Sequence, residues 1–191
     1  GSKALGIDEA DSLYFATQSV GHIWLRLCDP HPPLYYLILK LFIQFGRREF
    51  WLRLPSALAG TAGMPLLYIL GVELNGTDAK KRAWSIAALA SLLLAVAPLH
   101  VWYSREARMY ALVTTVGLCA SIFAVRFARR HRWVDGLGYV CAATVALYVD
   151  QSAALPLLAA NVLWAIVDRS RTGAGGARRG RGGIGCRLEG L

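Results

Sequence analysis

The sequence predicts an all-α fold: a polytopic bundle of transmembrane helices, with juxtamembrane amphipathic helices in its first outer loop. Three observations carry this reading. The 191 residues are 55% hydrophobic and 17% charged, with a mean hydropathy of +0.41, whereas a soluble domain carries about a quarter charged residues. The charges fall in clumps between apolar runs, several of them near the length of about 20 residues that a spanning helix needs. Lys and Arg gather in alternate loops, the asymmetry expected of a multi-span membrane protein.

Three regions follow from this pattern: a first extracytoplasmic loop (1–51), a membrane bundle (52–168) and a basic tail (169–191). In the first, residues 8–28 place Ala16, Val20, Ile23, Trp24 and Leu27 on one helical face. Ser12, Gln18, Ser19 and Arg26 interrupt the run, so it predicts an amphipathic helix lying on a surface rather than a span. Pro30, Pro32 and Pro33 then stiffen the stretch Asp29–Tyr36, with Pro33 suited to a first helical turn. The apolar run ending at Phe45 holds Lys40 and Gln44 and makes about 20 Å of helix. That is too short to span, so 33–45 should lie along or dip into the interface.

Five membrane segments are expected after Arg47-Arg48-Glu49, at 52–72, 84–102, 109–125, 133–149 and 152–167. Small residues at Ser56, Gly60, Gly63, Ala87 and Ala90 would let helices approach closely. With 33–45 not spanning, one side of the membrane receives Lys80-Lys81-Arg82, the arginines between Arg126 and Arg132, and those of the tail. These clusters hold most of the chain's 21 Lys and Arg residues, so that side should be cytoplasmic. The sequon Asn75-Gly76-Thr77 falls there and should stay unmodified. The opposite, extracytoplasmic face receives the N-terminal region, Tyr103–Tyr110 and the turn at Asp150. An outward N-terminus implies a hydrophobic segment ahead of residue 1. The tail, rich in Arg and Gly, reads as a flexible extension.

The net charge of +9 follows this loop asymmetry and does not call for a nucleic-acid partner. Cys28, Cys119, Cys141 and Cys186 have neither metal-ligand nor disulfide spacing.

Polar groups that can do chemistry converge on the extracytoplasmic face. Asp8-Glu9 stands ahead of the first amphipathic helix, where carboxylates also serve as caps and dipole partners. Asp29 and His31 follow, the histidine flanked by prolines. Next, Arg105, Glu106 and Arg108 crowd a membrane boundary within Tyr103–Tyr110. Such a group is either a wet turn that neutralises itself or a phosphate clamp, since arginine matches phosphate geometry. Asp150-Gln151 adds a weaker fourth group.

Asp8-Glu9, Asp29-x-His31-Pro32-Pro33-Leu34-Tyr35-Tyr36, Arg53-Leu54-Pro55-Ser56-Ala57-Leu58-Ala59-Gly60 and Tyr103-Ser104-x-Glu106-Ala107-Arg108-Met109-Tyr110 follow in order. Together they resemble the dolichyl-phosphate-mannose–protein mannosyltransferase-like glycosyltransferases of the C-type superfamily, over roughly residues 6–165. The resemblance implies an integral enzyme of the plasma membrane with an extracytoplasmic active site. It would move a sugar from a polyprenyl-phosphate donor to a hydroxyl-bearing acceptor, with inversion. Asp8 maps onto the catalytic acidic residue, with Glu9 beside it. His31, Arg105, Glu106, Arg108 and Tyr110 become substrate or phosphate contacts, with Arg108 foremost. Metal use varies across the superfamily, and Asp8, His31 and Glu106 are the candidate ligands for a divalent metal ion, the one cofactor the resemblance leaves open. Leu147-Tyr148-Val149-Asp150-Gln151 departs from the family's usual pattern at that turn. The competing classes are a membrane transporter or lipid-carrier flippase and a non-catalytic scaffold of the same fold. Uncharged span interiors with charges at one face favour the enzyme over a transporter, whose ionisable residues lie deep in its spans.

Overall fold

The computed structural model describes residues 7–25, 32–46, 48–75, 80–159 and 161–162. The described residues form helices and no strand, so the expected all-α class holds. By contact the chain divides into two compact units, 1–154 and 155–191. The described residues of the first form eight α-helices, and it is the unit considered below.

Its first two helices are α1 (Ile7–Thr17) and α2 (Val20–Leu25), where the sequence suggested one continuous helix. The break lies at Gln18-Ser19. Ser19 Oγ accepts the His22 N–H at 3.3 Å, a side-chain cap that starts a new helix instead of continuing the old one. Only part of the expected apolar face is covered: Ala16 and Ile23 are buried, whereas Val20 and Trp24 are exposed. The next helix, α3 (Leu34–Ile43), begins after Pro33 as expected. Its Lys40 donates to the carbonyls of Ala16 (3.4 Å) and Gln18 at the end of α1. A cation there satisfies carbonyls the helix leaves orphaned and opposes the negative end of its dipole.

Four longer elements follow: α4 (Glu49–Asn75), the pair α5 (Lys80–Val96) and α6 (Pro98–Arg105), α7 (Tyr110–Arg130) and α8 (Trp133–Val149). Among the described residues, α4 and α7 are long and apolar enough to span, and α5 with α6 make a third candidate bent by 58°. The sequence suggested an unbroken segment over 84–102. Pro98 breaks it, because the ring removes an amide donor and pushes Ala97 to extended backbone (ψ 120°). At 17 residues, α8 is a shorter apolar helix. Of the expected segment 152–167, residues 151–153 form a 3-10 turn and 154–159 are helical, and its remainder lies mostly outside the described residues.

Cross-helix contacts fix the directions. Ser56 reaches Arg108, Thr115 reaches Ala59, and Glu73 pairs with Arg126, so α4 and α7 run parallel. Ser91 donates to the Met64 carbonyl and Gly71 abuts Ala87, so α5 runs back against α4. A Cβ on Gly71 would sit 2.8 Å from Ala87 Cβ and 3.0 Å from its Cα, so this crossing requires glycine. Ser56, Gly60, Gly63 and Ala87 are buried, as their size suggested, and Ala90 is half-buried.

The bundle therefore has two unlike ends. At one, Glu73 binds Arg126 (2.7 Å) and Arg130 (3.2 Å), while Arg129 donates to the Leu74 carbonyl. At the other, Ala16, Ile23, Tyr35, Tyr36, Leu39, Leu52, Ala107, Met109 and Val149 close into one apolar cluster. This second cluster seats α1–α3 on the starts of α4 and α7 and the end of α8. Around it Trp24, Leu25, Leu41, Phe45 and Phe50 stay exposed. A ring of bare aromatics and leucines at helix ends suits the interfacial layer of a bilayer.

Candidate functional site

The second end carries the polar groups singled out from the sequence. Glu9 lies in the first turn of α1 and is only 6% exposed. Its Oε1 accepts Arg53 Nε at 3.0 Å and its Oε2 accepts Arg53 Nη2 at 2.9 Å, a two-bond fork across to α4. Oε1 also accepts the Ala107 backbone N–H at 3.0 Å. One carboxylate thus joins α1, α4 and the loop between α6 and α7. Glu49, one turn before Arg53, stands 3.7 Å from the same guanidinium, and Glu106 adds to the negative field there.

The loop 106–109 is held from two directions. Glu9 takes its Ala107 amide, and Ser56 Oγ donates to the Arg108 carbonyl at 2.9 Å. The Arg108 guanidinium turns toward Tyr110, with Nη1 donating to the phenolic oxygen at 3.2 Å. Tyr110 in turn packs on Tyr103 with ring centres 4.7 Å apart. Arg105, the last residue of α6, is exposed, and Glu106 is half-buried. Asp150 is buried and caps the 3-10 turn, its Oδ1 accepting the Ser152 N–H at 2.7 Å. That is an N-cap role, which starts the turn.

Beneath the Glu49–Arg53 pair lies an open groove of about 250 Å³, lined by Glu49, Phe50, Arg53, Leu54 and Ala57. Buried deeper is Tyr35, 1% exposed, whose hydroxyl forms no hydrogen bond among the described residues, although Ser56 lies beside it.

The residues expected to form the site are therefore only partly gathered. Glu9, Arg108 and Tyr110 share this end with Arg105 and Glu106. Asp8 lies in α1, but its side chain is outside the described residues, as are Asp29 and His31. Of the suggested metal ligands, only the Glu106 side chain is described, and no group of three metal-ligating side chains occurs among the described residues. Next to Tyr103–Tyr110, Glu9 and Arg53 close an ion pair at 2.9 Å, and Glu106 adds to the negative field at Arg53.

Arg53, Ser56 and Lys40 make long-range contacts beyond what their sequence context suggested. A signal was present for Arg53 and Lys40. Each is a charge inside an apolar helix, expensive unless a partner is waiting. Nothing in the spacing named those partners, which are 44 and 22–24 residues distant.

A family model described as dolichyl-phosphate-mannose-protein mannosyltransferase matches residues 30–174, well over half the chain. No curated protein and no solved structure matches it.

Proposed function

Since the chain belongs to the dolichyl-phosphate-mannose-protein mannosyltransferase family, we propose that it transfers one sugar from a polyprenyl-phosphate carrier to a hydroxyl acceptor, with inversion. Membership carries the general activity, a membrane glycosyltransferase using a lipid-linked sugar. The observation that supports the finer reading is the contact of Glu9 with the Ala107 amide, which joins the first-loop helix α1 to the segment Arg105–Tyr110.

In the proposed reaction, Asp8 takes the proton of the acceptor hydroxyl as the oxygen attacks the anomeric carbon. The bond from that carbon to the phosphate oxygen breaks, and polyprenyl phosphate leaves with the electron pair. A positioned carboxylate base contributes about 10²–10⁴-fold to such a step. Arg108 opposes the charge growing on the departing phosphate, with Tyr110 steadying the guanidinium. Arg105, exposed at the same boundary, meets the donor on its approach. The groove at Phe50, Leu54 and Ala57 offers an apolar wall below the charged pair Glu49–Arg53, suited to the first isoprene units. The end bearing Glu9 and Arg108 faces away from the cytoplasm, because the basic loops occupy the other.

Transfer from radiolabelled polyprenyl-phosphate sugars in membrane vesicles tests this. Wild type should transfer label to an acceptor and Asp8→Asn should lose at least about 100-fold. Equal rates would remove Asp8 as the base, and no transfer from any lipid-linked sugar would remove the reading altogether.

A further inference from the structure

We infer that Glu9 and Arg53 form a positioning lock, not a second catalytic carboxylate with its counterion, and that the lock sets the distance between Asp8 and Arg108. The inference rests on the proposed role of Asp8 as base. Glu9 is 6% exposed, with both oxygens occupied by Arg53 and one also by Ala107. A base needs an oxygen within hydrogen-bond reach of the substrate's proton, and both Glu9 oxygens are already committed within the protein.

The same side chain instead holds three segments together. Arg53 is fixed on α4, with Glu49 one turn away. Through Glu9 it grips α1 from one side and the Ala107 amide from the other. Ser56, three residues after Arg53, takes the Arg108 carbonyl. Glu9 and Ser56 thus hold the loop at the Ala107 amide and the Arg108 carbonyl, while the Arg108 guanidinium donates to the Tyr110 hydroxyl. Lys40 secures the far end of α1 through the Ala16 and Gln18 carbonyls. A helix tethered at both ends cannot slide or rotate to move Asp8 without breaking one tether.

The test uses the full chain in lipid nanodiscs, with the lipid-linked sugar that supports transfer as donor. Glu9→Gln keeps the shape and removes the charge. It should lower kcat by about 10–100-fold, the scale of an ångström of misplacement, and leave KM for the donor within about twofold, since ground-state binding is untouched. Arg53→Gln should lose a similar amount, and the double variant no more than the worse single one, because both break one device. Without any donor, amide exchange at Ala107 should quicken in Glu9→Gln, while Asp8→Asn leaves it unchanged and abolishes turnover. Where Glu9→Gln does not accumulate, Glu9→Asp, which keeps the charge but shortens its reach, is held to the same criteria. Multiplicative losses, wild-type kcat in Glu9→Gln, or unchanged Ala107 exchange would each overturn the lock. Wild-type turnover in Asp8→Asn would instead overturn the base, and the Ala107 exchange would then decide the lock by itself.

Discussion

Tyr35 keeps a hydroxyl in an apolar cluster without a hydrogen bond among the described residues. Burial pushes its phenol well above the ordinary value, with the charge of Glu9 acting the same way and Ser56 and Arg108 against it. The folded chain therefore holds this proton to higher pH than the unfolded chain, whose tyrosine releases it near pH 10. The stabilisation is complete below that pH and is lost as pH rises beyond it. Tyr35→Phe should flatten this alkaline loss, measured by unfolding in detergent on either side of about pH 10. At neutral pH the same change should be neutral or stabilising by up to about 1 kcal/mol, because it deletes an unsatisfied buried polar group. Arg108→Lys, by contrast, should lower kcat of the proposed transfer about tenfold, since a lysine cannot reproduce the guanidinium's fork toward the departing phosphate. Residues of these two kinds were not equally legible. Arg108 announced itself as a charge at a membrane boundary. Tyr35 looked like any aromatic of an interfacial helix, and only folding put it under Glu9 and Ser56.

Among the elements, α3 shows how far length and composition carry. Its short apolar run predicted a helix that does not span, and its extent of Leu34–Ile43 agrees. Lys40 looked like a flaw in that run, yet it caps α1 from a distance. Replacing it by Met should cost about 1 kcal/mol and expose the α1 amides to faster hydrogen exchange, with little change in α7. The division of 8–28 into two helices was hidden because apolar periodicity persists across a one-residue cap such as Ser19. The break at Pro98 is legible as a proline, although the hydropathy of the stretch runs on unbroken across it. Close crossings were readable as small residues but not as specific pairs. Gly71→Ala should force α4 from α5 against the Ala87 backbone, at about 1–3 kcal/mol, seen as a lower unfolding midpoint in detergent.

Across the whole molecule, charge asymmetry alone predicts two unlike ends. Counting Lys and Arg separated 80–82 and 126–132 from 103–110, and the parallel run of α4 and α7 separates the same segments. Counting could not say that α1–α3 fold down onto the bundle's end, because that depends on Glu9, Lys40 and the apolar cluster meeting across long stretches of chain. In a cysteine-free background, Arg105→Cys should react with an impermeant maleimide added outside intact cells. Arg130→Cys should react only after permeabilisation. Labelling of both from the same side would refute the two-ended arrangement.

Arginine–glutamate pairs hold α4 near each extremity, Arg53 with Glu9 and Glu73 with Arg126 and Arg130. The two α4 residues stand twenty positions apart, about 30 Å of helix and about the depth of a bilayer's hydrocarbon layer. With both tips pinned to other elements, α4 cannot shorten its span by tilting alone. The protein's turnover should thus depend on lipid chain length. In a thinner or thicker bilayer the mismatch falls on one of the two pinned tips, and the tip that yields at the Glu9 end would change turnover. Rates measured across phosphatidylcholines of graded acyl length should therefore peak where the hydrocarbon layer is about 30 Å deep.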